Sequence, residues 1–397
     1  MTKPAPHLLT LVLLTALSVL TLNMFLPALP AMREAFGVSD AVIGRSISLY
    51  MMAAAVLQLL LGPLSDRVGR RPVILGLLTL YVLASVLCLL AQDITLFLIA
   101  RTGQAVAVGG GILASAVVRD MYDDRLAAAK LSLIASAMAI APMLAPMLGG
   151  LLEAAFGWRS VFVTYALLGA GLLLWCLRDL GETHAPGPGR RLQVGALLRA
   201  RLFWAYVGVQ ALGVGTFYMF LTGAPFVAAD VFGLEPAQIG IALGSTTAGF
   251  MAGAAVSARL VQRLGPMRLI LVGRVLPILG LGAAFLYYAD GGALVLPLFL
   301  STVTVGIGNG LSLANANAGA LSVRPDLAGS ASGLSGAVAL GLGAGLSWLT
   351  TAVLGEGATP EGLLLLMLGT LGLALAMAVA AAVWEQDETG VSKPKTP

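Results

Sequence analysis

The stretch Gly62-Pro-Leu-Ser-Asp66-Arg67-Val-Gly69-Arg70-Arg71 gathers a carboxylate, three guanidinium groups and two glycines between two long apolar segments. These residue types can make and break ion pairs. Asp66 can accept hydrogen bonds from a helix N-terminus, where the dipole favours an anion. Arg70 can pair with Asp120 or Asp123. The two glycines permit positive φ, so the stretch reads as a tight charged turn. For Arg71 the simpler role is fixing topology. Arg101 stands several residues inside an apolar run, where a charge costs about 2.5–3.5 kcal/mol or more. An intramembrane cation of this kind is a functional candidate by default, against the alternative of snorkelling to an interface. Arg274 and Arg45 lie nearer segment ends, and snorkelling is the expectation for both. Hydrolytic or metal chemistry finds no support: there is no HExxH, no Walker loop and no paired intramembrane aspartate, so no enzyme, metal or cofactor is expected.

The elements that must position these charges are membrane spans. Of 397 residues, 58% are hydrophobic and 11% charged, too few charges to cover a water-facing surface. Apolar runs of about 20 residues, the length that crosses about 30 Å of hydrocarbon, recur along the chain. The 49 glycines suit close helix packing in lipid. Cys88 and Cys176 sit in apolar runs and suggest no disulfide framework. The first run reads as a true span and not as a removed signal peptide.

About twelve spans are expected, at 8–30, 42–62, 73–91, 95–118, 130–153, 160–178, 202–224, 237–258, 267–288, 292–318, 328–352 and 360–384. Of the 23 Lys and Arg, Arg33, Arg45 and Arg159 fall on one side and Arg101 and Arg274 within spans, so 23 − 5 = 18 share the side of both termini. The positive-inside rule makes that side cytoplasmic, in a cell inner membrane. This distribution also explains the basic balance without nucleic acid. The polar, Pro/Gly-rich stretch from Gly181 to Arg191 reads as a linker, giving an N-terminal six-helix bundle (1–180), a linker (181–200) and a C-terminal bundle (201–397). An internal repeat supports two halves. Phe36-Gly37 and Ile43-Gly44 match Phe232-Gly233 and Ile239-Gly240 at one offset (232 − 36 = 196), and Arg67 and Gly69 fall on Arg263 and Gly265. Gln262 stands opposite Asp66. Parallel halves point to a two-bundle transporter with its substrate site between them.

On these residues the chain resembles the major facilitator superfamily over nearly its whole length. Gly62–Arg71 resembles the signature between helices 2 and 3, and Arg101-Thr-Gly-Gln104 the motif of helix 4. Pro142, Pro146, Gly149 and Gly150 resemble the helix-5 motif of exporters, with Phe156-Gly157-Trp158-Arg159 following as in drug exporters. Asn23-Met-Phe-Leu-Pro27-Ala-Leu-Pro30, Arg119-Asp120-Met-Tyr122 and Ala314-Asn315-Ala-Asn317 resemble the bicyclomycin/chloramphenicol-resistance branch of drug/proton antiporters.

The resemblance implies an all-α membrane fold of two pseudo-symmetric bundles and efflux of hydrophobic or amphipathic compounds by proton antiport through alternating access. It implies a conformational latch built from Gly62, Asp66, Arg67, Gly69, Arg70 and Asp120, with the start of span 11 near Gly329 and Ser330 as the partner of Asp66. The branch normally carries an aspartate where this chain has Asn23, which cannot titrate, and no Asp or Glu lies in mid-membrane. Three alternatives follow: a boundary carboxylate such as Glu153 reaches inward, coupling runs through loop carboxylates, or transport is not proton-coupled. The expected cavity residues are Asn23, Tyr50, Arg101, Gln104, Met138, Gln210, Phe217, Tyr218 and Asn315. They make a mostly neutral lining suited to a neutral or anionic amphipath. A monomer suffices. A facilitator, a dedicated metabolite exporter and a transport-dead sensor remain alternatives.

Overall fold

In the computed structural model, residues 6–184, 195–355 and 357–389 are described, and among them the secondary structure is helical, with no strand. Eleven helices are long and apolar enough to cross a membrane. They are α1 Leu8–Phe36, α2 Asp40–Val68, α3 Arg70–Leu90, α4 Ile94–Met121, α6 Arg159–Asp179, α7 Arg201–Val231, α8 Pro236–Leu264, α9 Pro266–Ala289, α10 Leu296–Ser322, α11 Pro325–Leu354 and α12 Pro360–Gln386. A twelfth long helix, α5, runs unbroken over Asp124–Phe156, and a single short turn of helix stands at Gly195–Leu198. This is the twelve-helix arrangement expected, but the helices outrun their apolar stretches, because backbone hydrogen bonding continues through polar residues once a helix has started.

That extension corrects the first expectation. The charged stretch is mostly helix: α2 carries Gly62, Pro63, Asp66 and Arg67 within it. The turn is one residue, Gly69, at φ +103°. Gly62 has open space where a side chain would stand, so close approach does not demand a glycine there.

The repeat reappears in the backbone. Gly37 and Gly233 both stand at φ +62°, and Gly69 and Gly265 at +103° and +80°. Each pair sits at helix ends that only a left-handed glycine turns so tightly.

Three helices are interrupted where their sequence requires it. In α1, Pro27 lacks the N–H that would bond the Asn23 carbonyl; the helix tightens into a 3₁₀ turn at Leu26–Ala28. In α4 a 3₁₀ turn at Gln104–Ala107 begins three residues after Arg101. In α7, Pro225 precedes a π turn at Val227–Val231.

The chain groups into two compact units whose limits differ from the sequence halves. The first unit holds residues 1–191 together with 221–247 and 344–359. Its core includes the ring cluster Phe36, Phe97, Trp158, Phe162 and Tyr165, with neighbouring centroids 5.3–6.3 Å apart. The added segments are held by backbone proximity. A side chain at Gly150 would strike the Pro236 carbonyl, one at Gly240 the Pro146 carbonyl, and one at Gly44 the Thr351 side chain.

The second unit holds 192–220, 248–343 and 360–397. Its core centres on Phe203, Tyr206, Ile270, Ala316 and Ala378. Helices α9 and α10 meet through Gly273 and Gly308, where any side chain would meet the opposite backbone.

Candidate functional site

The charged end of α2 is a built ion-pair network. Gly69 ends α2 and starts α3, which brings the Arg70 guanidinium back over the last turn of α2. Its Nη1 lies 2.6 Å from Asp66 Oδ1, and its Nε donates to Asp120 Oδ2 at 2.9 Å. Arg70 also donates to Ser65 Oγ. The Arg70 side chain is only 7% exposed, so two carboxylates share one buried cation. Arg67 is exposed.

Sequence reasoning missed Glu182, which it left in the linker. Its carboxylate accepts from the Arg70 amide at 2.8 Å and the Arg71 amide at 3.2 Å. It thereby caps the N-terminus of α3, the site a helix dipole offers an anion. Arg71, assigned only to topology, donates from Nε to the Leu180 carbonyl at 2.9 Å. The available signal for Glu182 is a single carboxylate immediately after α6.

Arg101 is fully buried at 0% exposure, so it does not snorkel. The interruption of α1 explains how it is held. A helix end leaves carbonyls without partners, and the Thr21 carbonyl accepts from Arg101 Nη2 at 2.8 Å and from the Tyr165 hydroxyl at 3.1 Å. Arg101 Nη1 donates to Gln104 Oε1 at 2.7 Å, and Gln104 passes a hydrogen bond to Ser85 at 2.8 Å. The guanidinium stacks 3.9 Å from the Phe25 ring centroid and 4.6 Å from that of Tyr50, an arrangement worth about 2 kcal/mol when desolvated. Among the described residues no carboxylate pairs with it. Asn23 lies two residues beyond Thr21. Its amide donates to the Val19 carbonyl at 2.8 Å, while its buried Oδ1 has no partner among the described residues.

The exporter-like face of α5 packs by backbone. A side chain at Gly149 would overlap the Met24 carbonyl of α1, and one at Gly150 the Pro236 carbonyl of α8. Pro142 and Pro146 lie within the continuous helix. The Met138 side chain lies outside the described residues. Glu153 is half-buried, with one carboxylate oxygen unpartnered among the described residues.

In the second unit the snorkelling expectation for Arg274 fails. Arg274 is 0% exposed, held between α7 and α10. It donates to Asn309 Oδ1 at 2.9 Å, to the Gly308 carbonyl at 3.3 Å and to Ser312 Oγ. Its position nine residues into α9, combined with the small Gly213 and Gly308 around it, leaves no path to an interface. Asn315 bonds Ser257 at 2.9 Å. Phe217 and Tyr218 form an edge-to-face pair at 5.5 Å, and Gln210 keeps a buried oxygen unpartnered among the described residues. Each unit therefore buries one arginine among neutral partners. The arrangement can hold positive charge in an apolar interior and switch ion pairs at the α2–α3 turn.

Residues 11–348 match the family model described as Major Facilitator Superfamily. Over 218 residues the chain is 34% identical to "Multidrug resistance protein MdtL" of Shigella dysenteriae serotype 1 and of Escherichia coli O139:H28, covering 54% of this chain and 56% of each relative. The chain thus matches about half the length of these relatives. Among solved structures it resembles a bacterial homologue of the human lysosomal transporter Spinster (TM-score 0.75, 20% identity, 95% of this chain and 96% of that one). It also resembles the human organic anion transporter MFSD10 (TM-score 0.68, 18% identity, 94% and 98%). At such identities these structures speak for the fold. With the family model covering residues 11–348, from α1 into α11 and including both buried arginines, the chain belongs to the Major Facilitator Superfamily.

Proposed function

We propose that the protein is a secondary exporter of small hydrophobic or amphipathic compounds, multidrug or antibiotic efflux included, working by alternating access as a monomer in an inner membrane with both termini cytoplasmic. The observation that carries the substrate class is the pair of buried arginines, Arg101 and Arg274, each hydrogen-bonded to neutral groups. An interior with two uncompensated cations repels organic cations and favours neutral or anionic amphipaths. The partial likeness to MdtL supports efflux. The Asp66–Arg70–Asp120 network is the cytoplasmic latch in this reading, and each transport cycle breaks it.

Proton antiport is the drive we assign. One proton moved down about 100 mV supplies about 2.3 kcal/mol. The unpartnered Oδ1 of Asn23 favours a second reading, a facilitator or an exporter of one metabolite, because an amide binds without titrating. Efflux from proteoliposomes under an imposed pH gradient separates the two. Efflux that collapses with the gradient supports antiport; efflux indifferent to it rejects antiport and leaves the facilitator. Under the second reading, Asn23→Asp installs gradient dependence.

A further inference from the structure

Arg33 stands near the end of α1, and its guanidinium reaches Asp230 in the π turn that ends α7. Nη1 donates to Asp230 Oδ2 at 2.7 Å and Nη2 to Oδ1 at 3.0 Å, the two-pronged geometry of the strongest arginine–carboxylate pairs. Nη1 also donates to Asp40 Oδ1 at 2.9 Å. Asp230 is the repeat equivalent of Glu34 (230 − 34 = 196), so the pair joins corresponding ends of the two sequence repeats. The extra residue of a π turn re-aims the side chains beyond it, and such turns concentrate at functional positions.

The two carboxylates are not equivalent. Asp40 opens α2, where the dipole favours an anion, and its side chain is 4% exposed. Asp230 is 36% exposed. Glu34, the other charged group beside Arg33, is 3.8 Å away and 76% exposed. The first unit also packs tightly at Gly44 against the Thr351 side chain and at Gly150 against the Pro236 carbonyl.

We infer that Arg33–Asp230 is a latch for the non-cytoplasmic face, and that Asp40 retains the guanidinium when the latch opens. Asp40 removes the main obstacle to opening, a stranded charge, so the cycle loses only the partly exposed pair, which solvent screens. The inference rests on the alternating-access reading but not on any substrate or coupling ion.

The test reads accessibility without transport. Cys88 and Cys176 are replaced by serine and Thr351→Cys is introduced; Thr351 is 3% exposed and faces Gly44. A membrane-impermeant maleimide is applied to spheroplasts and to inside-out vesicles. Asp230→Asn is expected to raise the labelling rate from outside about three- to tenfold, the latter equal to about 1.4 kcal/mol. Arg33→Lys, which keeps the charge but loses the fork, raises it similarly. Asp40→Asn alone stays within about twofold of the parent, because the two-pronged pair survives. Swapping the pair as Arg33→Asp with Asp230→Arg restores slow labelling only when Asp40→Asn removes the new like-charge contact.

Parent-like labelling of both Asp230→Asn and Arg33→Lys overturns the latch, as does a triple variant as open as Asp230→Asn. A rise confined to inside-out vesicles overturns its sidedness. Should Asp230→Asn not accumulate, the contrast of Arg33→Lys with Asp40→Asn decides. Loss of efflux with this pattern intact would count against the transport proposal and leave the latch standing.

Discussion

Glu182 binds the backbone amide of Arg70 at 2.8 Å, so a residue beyond the sixth span caps the helix that follows the second. The same carboxylate crowds Gly69, where an added side chain would come within 2.6 Å of Oε2. Glu182→Ala is expected to cost about 1 kcal/mol, the scale of a lost helix cap. Gly69→Ala adds left-handed strain of about 1–2 kcal/mol and the clash. Because Glu182→Ala removes that clash, the double variant should lose less than the sum of the two. Thermal unfolding in detergent measures all three.

Arg101→Lys should keep the fold and lose transport at least tenfold. An ammonium is a compact point charge and cannot span the Thr21 carbonyl and Gln104 while lying flat on Phe25. Efflux from loaded cells, compared with detergent stability, checks this. A lysine variant with parental efflux would show that only charge is used at this position.

Arg274→Met tests the charge assignment in the second unit. Removing the guanidinium relieves the desolvation of a buried charge but leaves the Asn309 Oδ1 and Gly308 carbonyl acceptors without their donor, at about 1–3 kcal/mol. Stability should therefore fall by no more than about that amount. Export of anionic fluorescent dyes should fall at least fivefold relative to neutral ones. Equal loss for both dye classes would detach Arg274 from selectivity.

Two glycines should respond in opposite directions. Gly62→Ala is expected to stabilise by about 0.5–1 kcal/mol, since the residue is helical with open space beside it. Gly149→Ala should prevent normal accumulation, because its side chain would overlap the Met24 backbone carbonyl. Expression and melting temperature of the two variants give the comparison.

Much of the framework was legible in the sequence. Span length, span number and the repeat follow from hydrophobic runs and glycine spacing, since lipid admits only closed backbone hydrogen bonding. The glycines paired at one offset, Gly37 and Gly233, share one left-handed conformation, which the repeat alone does not specify. The family signatures group Asp66, Arg70 and Asp120 in one latch, and Asp120 or Asp123 is the expected partner of Arg70, but the Asp66–Arg70 pair is not legible, because the resemblance points Asp66 at the start of span 11. The reading failed where helix propagation overruled composition, as in the helical course of Gly62–Val68. It failed again where burial depended on neighbours, as for Arg274.

The sequence by itself determined a membrane-spanning, two-repeat helical chain, because the need to satisfy backbone groups in hydrocarbon acts on each segment locally. Only the tertiary structure decided that Glu182 caps α3, that Arg274 is sealed among Asn309 and Ser312, and that Arg33 grips Asp230 across 197 positions of chain. Those pairings depend on how closely glycine-faced helices approach one another and at what rotation, and no single segment encodes either quantity.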